Sequence, residues 1–253
     1  MKFCAYMVGL VLISSVFAQS LDLTGFRAKL EAGDYKTVIT QLEPFVKLKP
    51  NDADAHFLLA RAYYLTGGAL NQARAEDHIR AAIRLVTFRA EFEWQYGLIL
   101  TALGKANLAL GHLRAAIMGD PRGVSSASLY RYAMDWGGVA WREGDLGQAL
   151  EAFQAASRID PNQPWPLVHQ GALHLGLNEA RLAEPILIRC IKLLETSKYP
   201  ADHPVWAEAY FWYGQTLEAL GRFNDAKSAY LKALEHDPKF SRAREAFENL
   251  RSK

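Results

Sequence analysis

The sequence predicts an all-α solenoid, in which one helical hairpin repeats about six times and a capping helix follows. One observation is the regular spacing of Gly or Asn residues, which commonly end helices in the left-handed conformation. These candidate turn residues lie 34, 37, 40, 34 and 43 residues apart and are Gly33, Gly67, Gly104, Gly144, Asn178 and Gly221. A second observation is a set of closing prolines with the same spacing and insertions, Pro50, Pro121, Pro161 and Pro238. Two independent residue classes therefore indicate the same repeat.

The clearest copy of the repeat covers residues 207–240. Its first helix is expected to end at about Leu220, where Gly221 supplies the turn. The second helix is expected from about Asn224 to His236, because its apolar residues recur at helical spacing. Pro238 then stops this helix, since proline cannot continue it.

The turn Gly221, together with Ala226, Tyr230 and the closing Pro238, resembles the tetratricopeptide repeat, a helix-turn-helix of about 34 residues. Gly214 is small enough to let another helix pack close to it. The resemblance implies a right-handed α-solenoid whose first helices line a concave groove. It also implies a scaffold that binds other proteins or peptides.

The predicted repeats cover about residues 19–52, 53–87, 90–123, 130–163, 164–197 and 207–240, and the capping helix covers 241–253. Neighbouring repeats are needed because one hairpin cannot bury its own apolar face. The first repeat is interpreted as an N-terminal cap, since Pro44 falls inside its second helix and should kink it. One serine of the insertion after Gly123 is expected to cap the next helix.

The junction between the fifth and sixth repeats carries a more specific pattern. The stretch 183–185, Ala-Glu-Pro, is followed by Ile188 and a long tail over 190–195, and the stretch 202–204, Asp-His-Pro, precedes the next repeat. This junction resembles the longer repeat subtype found in kinesin light chains and in many bacterial proteins. The resemblance implies that Pro204 lies in the first turn of the next helix, and it implies no motor-related function.

The first 18 residues, MKFCAYMVGLVLISSVFA, differ from the rest of the chain. One lysine precedes an uncharged apolar run that ends in Val-Phe-Ala, which is typical of a secretory signal peptide. We therefore expect cleavage after Ala18 and an exported protein, periplasmic or secreted. The alternative is that residues 1–18 are retained and anchor the protein in a membrane.

Composition and motifs argue against catalysis and nucleic-acid binding. The 29 basic and 27 acidic residues give a net charge of +2, too balanced for a nucleic-acid surface. The seven histidines show no metal-ligand spacing, and no phosphate-binding loop or nucleophile motif occurs. Cys190 is interpreted as a small core residue. We expect a protein that is not an enzyme and has no metal and no small-molecule cofactor.

The candidate partner-binding surface is the concave groove expected along the first helices. Its side chains are dominated by aromatic residues and arginines, which are enriched at binding hot spots. The candidates are Phe57, Arg61, Tyr64, Trp94, Gln95, Leu98, Arg131, Met134, Asp135, Trp141, Arg142, Trp165, Val168, His169, Phe211, Trp212 and Gln215. The alternative interpretation is that several of these aromatic side chains pack inside the fold.

Three functions are consistent with this sequence. The first is a non-catalytic exported scaffold that binds a protein or peptide segment with apolar anchors and assists envelope, pilus or secretion assembly. The second is a membrane-tethered adaptor that keeps its N-terminal segment. The third is a carbohydrate-binding or enzyme accessory protein that uses the tryptophans as sugar platforms.

Overall fold

The computed structural model describes residues 23–197 and 199–251, and the predicted signal peptide, residues 1–18, lies outside them. Within these residues the chain forms thirteen helices and no strand. The helices form six consecutive pairs and one final helix, which confirms the predicted all-α fold of repeated hairpins. The chain divides into two compact units, Met1–Thr87 and Phe88–Lys253.

The first unit contains two hairpins. Its helices are α1 (Leu23–Glu31), α2 (Tyr35–Leu48), α3 (Ala53–Thr66) and α4 (Ala69–Arg84). Asp34 and Asp52 cap α2 and α3, because each carboxylate accepts a hydrogen bond from a backbone N–H of the first turn. Pro44 lies inside α2 but does not end it. The core of this unit is apolar and includes Val38, Leu42, Leu59 and Ile79.

The second unit contains four hairpins and the final helix. Its helices are α5 (Ala90–Ala102), α6 (Ala106–Met118), α7 (Ser126–Arg142), α8 (Leu146–Ile159), α9 (Trp165–Gly176), α10 (Ala180–Thr196), α11 (Pro204–Ala219), α12 (Phe223–His236) and α13 (Ser241–Arg251). The predicted serine cap is confirmed, because Ser125 Oγ accepts a hydrogen bond from Ser128 N–H at 3.1 Å. Helix α7 therefore begins at Ser126, four residues before residue 130, where the fourth repeat was predicted to start. Pro204 lies in the first turn of α11, as the preceding Asp-His pair predicted.

All six predicted turn residues have a positive φ, between 61° and 80°. Asn178, at 61°, is the only residue other than glycine with a positive φ in the part of the chain that the structure describes. Side chains rarely adopt this conformation, and Asn is the residue that tolerates it best after Gly. The turn spacing in the sequence therefore located every hairpin.

Four glycines of the second unit allow the two helices of a hairpin to approach closely. A Cβ atom on Gly97, Gly137, Gly171 or Gly214 would lie closer than 3.0 Å to a large side chain sixteen residues later. These side chains belong to the second helix of each hairpin and are Leu113, Phe153, Leu187 and Tyr230. The close approach that Gly214 predicted is therefore present in all four hairpins of this unit.

Candidate functional site

The candidate site is the surface of α7, α9 and α11, the first helices of the last three hairpins, with α13 at its end. We call it the first-helix face; its half-buried and exposed side chains lie at fixed positions around Gly137, Gly171 and Gly214. The candidates of the second unit that remain accessible here are Arg131, Met134, Asp135, Trp141, Arg142, Trp165, His169, Trp212 and Gln215. Leu98, on α5 of the same unit, is also half-buried.

Five predicted groove residues are buried, so the prediction of an exposed side chain is wrong for them. They are Phe57, Trp94, Gln95, Val168 and Phe211, which are 0%, 6%, 1%, 1% and 6% exposed. Four of the five precede the small close-packed residue of their helix by three positions, which turns them toward the neighbouring helix. Gln95 precedes Gly97 by two, and its Nε2 has no hydrogen-bond partner among the described residues.

The first unit contains three of the predicted groove residues. Phe57 is fully buried on α3, where the guanidinium of Arg27 lies 5.5 Å from its ring centre. Arg61 and Tyr64, on the same helix, are half-buried. Phe57 is therefore a core residue of this unit, and only the other two reach its surface.

Trp94 and two side chains of α7 form a polar cluster in the second unit. The Arg131 guanidinium lies 4.5 Å from the centre of the Trp94 ring, and the Trp94 Nε1–H donates a hydrogen bond to Asp135 Oδ2 at 2.8 Å. Burial raises the pKa of Asp135, against the opposing effects of the Trp94 hydrogen bond and of the charges on Arg131 and Arg142. Trp94 is therefore a buried residue that holds Asp135 in place at the surface through this hydrogen bond. Arg131 covers the ring of Trp94.

His169 is the centre of an aromatic cluster between α7 and α9. Its ring stacks on Phe153 at 4.6 Å and on Trp165 at 5.8 Å, and it meets Trp141 edge-on at 5.6 Å. Burial lowers the pKa of His169 to about 4. The imidazole is therefore neutral at physiological pH, and the cluster adds an uncharged aromatic group to the first-helix face.

A pocket of about 510 Å³ opens where α13 packs beside α11. Its lining is mixed and comprises Leu175, Phe211, Gln215, Glu218, Ala219, Arg242, Glu245, Ala246 and Asn249. The sequence interpretation missed the charged members of this lining. Glu218 could have been found, because it follows Gly214 by four positions, as Trp141 follows Gly137.

Three polar side chains of this pocket, Gln215, Glu218 and Arg242, are held by partners within the fold. Gln215 Nε2 donates to the Tyr230 hydroxyl at 2.7 Å, and that hydroxyl donates to Glu218 Oε2 at 2.9 Å. The Arg242 guanidinium lies 4.9 Å from the centre of the Phe211 ring and forms an ion pair with Glu208. The pocket therefore combines an apolar wall with oriented polar groups, which is the usual composition of a ligand pocket.

Other chemistry is limited in residues 23–197 and 199–251. No group of three or more His, Cys, Asp or Glu side chains there could hold a metal ion. Cys190 is fully buried, and burial raises the pKa of its thiol to about 12, as expected for a small core residue. None of the helices in this part of the chain combines the length and apolar character needed to cross a bilayer.

Several solved structures have a similar fold. PilF of Pseudomonas aeruginosa is 18% identical, with a TM-score of 0.61 over 88% of this chain and 93% of that chain. YrrB, described as a TPR protein with an unusual peptide-binding site, is 16% identical, with a TM-score of 0.63 over 82% of this chain and 97% of that one. MamA is 19% identical, with a TM-score of 0.57 over 67% and 94%. At these identities the likeness establishes the fold alone.

Comparison of the sequence with curated proteins and with family models gave two different results. No curated protein sequence matches the chain. Residues 23–75 and 207–240 each match a family model described as Tetratricopeptide repeat. With six helical hairpins, a left-handed residue at each turn and these two matches, the chain belongs to the tetratricopeptide-repeat family.

Proposed function

We propose that this chain is a non-catalytic exported scaffold that binds a peptide or protein segment on the first-helix face of its second unit. The observation that carries the proposal is the arrangement of this face. The exposed Arg131 lies over Trp94, the exposed Arg142 follows Trp141 of the aromatic cluster at His169, and a pocket opens at the end beside α13. Tetratricopeptide repeats generally form protein-interaction scaffolds, and this surface supplies both apolar and charged contacts.

The chemistry of the face favours an extended or helical segment with apolar anchors. A side chain of the segment enters the pocket against Phe211 and Leu175. Arg142 is exposed, and its guanidinium lies beside Gly138, which has no side chain to cover it. The guanidinium can therefore bind a carboxylate or a backbone carbonyl of the segment. The peptide-binding site named for YrrB, which shares this fold, supports the same class of partner.

Export rests on the apolar N-terminal stretch of the sequence. We propose that the protein works outside the cytoplasm, where it assists envelope, pilus or secretion assembly. Mass spectrometry of the native protein tests this, because cleavage predicts a mature chain that begins at Gln19. Detection of residues 1–18 on the membrane-associated protein would favour the tethered adaptor instead.

Site-specific photo-crosslinking tests the binding surface. p-Benzoylphenylalanine replaces the half-buried Trp212 of α11, and a control carries it at Phe223, an exposed aromatic residue of α12. In native extract we expect a defined protein to crosslink at position 212 and not at 223, and Arg142→Glu to abolish that product. Crosslinking that is equal at both positions would contradict the proposal.

The carbohydrate-binding alternative has a separate readout. Trp141 and Trp165 are half-buried and both contact His169, so their rings could serve as a platform for a sugar. Binding of the full chain to an immobilised glycan panel, without any peptide or protein captured by crosslinking, would favour this alternative.

A further inference from the structure

Two histidines join the helices of the second hairpin in the first unit. His56 on α3 and His78 on α4 place their Nδ1 atoms 3.0 Å apart, with ring centres 5.3 Å apart. His56 is 9% exposed. Neither residue belongs to the first-helix face, so the proposed peptide binding does not account for this contact.

The second nitrogen of His56 determines where the protons lie. His56 Nε2 is 3.1 Å from the carbonyl oxygen of Pro50, and a carbonyl oxygen can only accept a hydrogen bond. His56 Nε2 therefore carries a proton, and the Nδ1 atom of the neutral ring is a bare acceptor. It follows that His78 donates its Nδ1–H to His56, so the neutral pair has one defined arrangement.

The pair is part of a longer chain of contacts. The ring of Tyr63 stacks on His78 at 5.9 Å with an angle of 5° between the planes. The Tyr63 hydroxyl donates a hydrogen bond to Glu43 on α2. These contacts connect α2, α3, α4 and the segment at Pro50, so opening the histidine pair loosens the packing between both hairpins of the first unit.

Protonation acts directly on this contact. Burial lowers the pKa of His78, and the charges of His56 and Arg74 act in the same direction, against Asp77 and Glu43, which raise it. One added proton can be accommodated on the bare Nε2 atom of His78, because the charged His78 still donates its Nδ1–H to the neutral His56. A second proton places two N–H donors and two positive charges face to face, and the contact must then open.

We propose that His56 and His78 form a pH-sensitive latch in the first unit, closed while the pair is neutral and opened when both imidazoles are protonated. The pKa of His78 in the folded chain lies below its ordinary value of 6.5, so the unfolded chain binds more protons in the window below 6.5. Stability is therefore complete above that pH and falls as the pH falls through the window. Each additional proton changes the folding equilibrium constant by at most about tenfold per pH unit.

Nuclear magnetic resonance of the full chain tests the latch in the unmodified protein. Imidazole ¹⁵N shifts at about pH 8 should show His56 protonated at Nε2 and His78 at Nδ1. On acidification His78 should titrate below its ordinary pKa. The protection factors of the α3 and α4 amides, corrected for the intrinsic exchange rate at each pH, should fall while those of α11 and α12 stay high. The opposite tautomers, or protection factors in α3 and α4 that do not fall with the pH, would overturn the proposal.

Two matched variants separate the latch from a merely structural role. His78→Phe keeps a ring against Tyr63 but removes the Nδ1 donor, so the acid-induced loss of protection in α3 should disappear. The control is His174→Phe in the second unit; His174 is also 9% exposed, but its Nδ1 faces Glu179 at 2.7 Å. This control should leave the acid response of α3 unchanged. An acid response that persists in His78→Phe would refute the latch, and if that variant fails to fold, the ring shifts of the unmodified chain still decide.

Discussion

At the scale of single residues, two adjacent glycines on α7 have opposite environments. A Cβ on Gly137 would lie closer than 3.0 Å to the Phe153 ring, whereas the nearest atom to a Cβ on Gly138 is Arg142 Nη1 at 4.0 Å. We expect Gly137→Ala to cost about 1–3 kcal/mol of unfolding free energy through overpacking. Gly138→Ala should be harmless or stabilise by up to about 1 kcal/mol, because Ala favours the helix. Urea denaturation checks both, and equal effects would contradict the close approach.

A second residue-scale prediction concerns the turn at Asn178, whose φ is 61°. Asn178→Gly should be neutral or slightly stabilising, because Gly enters the left-handed region without a Cβ penalty. Asn178→Ala is the matched comparison and should lose about 1–2 kcal/mol. Thermal melts of the two variants are expected to differ in that order, and the reverse order would show that the turn is not left-handed.

His169 gives a pH prediction for the second unit. Its folded pKa of about 4 lies below the ordinary value of about 6.5, so the unfolded chain binds the proton first as the pH falls. Stability from this group is therefore complete above that ordinary value and is lost between there and about pH 4. His169→Phe should remove this part of the pH dependence in denaturation curves, and an unchanged curve would show that the ring is not buried as described.

The sequence predicted the turn residues better than the exposure of the groove residues. A positive φ is a local property that Gly and Asn report directly, which explains the success at Asn178. Exposure depends on how much of a side chain the next helix covers, and helical periodicity gives only the direction of the side chain. Trp94 and Phe211 are buried three positions before their glycines, whereas Met134, three positions before Gly137, is half-buried, so this spacing alone does not predict exposure.

At the scale of the elements, Ala109 tests how α5 and α6 pack. Ala109 is fully buried, and its carbonyl oxygen would lie 3.2 Å from a Cβ on Gly97. Ala109→Leu should cost about 1–3 kcal/mol, because the added bulk has no space to enter. The same change at the exposed Ala102 is the control and should change stability little. A harmless Ala109→Leu in denaturant melts would mean that the third repeat is misaligned.

The ends of the helices were predicted where a capping residue or a turn marked them. The serine cap before α7 and Pro204 at the start of α11 follow from residue chemistry. The sequence predicts a kink at Pro44, not a helix end, and α2 does continue through it to Leu48. A proline signals a lost hydrogen bond, but tertiary packing decides whether the helix stops there.

At the scale of the whole molecule, repeat spacing predicted the fold class but not the composition of the binding face. The pocket beside α13 depends on Arg242 and Glu245 from the capping helix, which lies outside the repeat pattern. Its contribution to the face could not be predicted before α13 was seen beside α11.

We expect the chain from Gln19 to Lys253 to be soluble and mostly helical, and substantial strand content by circular dichroism would contradict this.

The most direct test of the binding face is the dissociation constant of the crosslinked segment, measured for Arg142→Glu and Arg158→Glu together with their melting temperatures. Both arginines are exposed, but Arg142 belongs to the first-helix face and Arg158 to α8. We expect Arg142→Glu to weaken binding by about 30-fold or more, as for a hot-spot residue, without a change in melting temperature. Arg158→Glu should leave both quantities unchanged. Equal affinities for the two variants would contradict a binding site on the first-helix face.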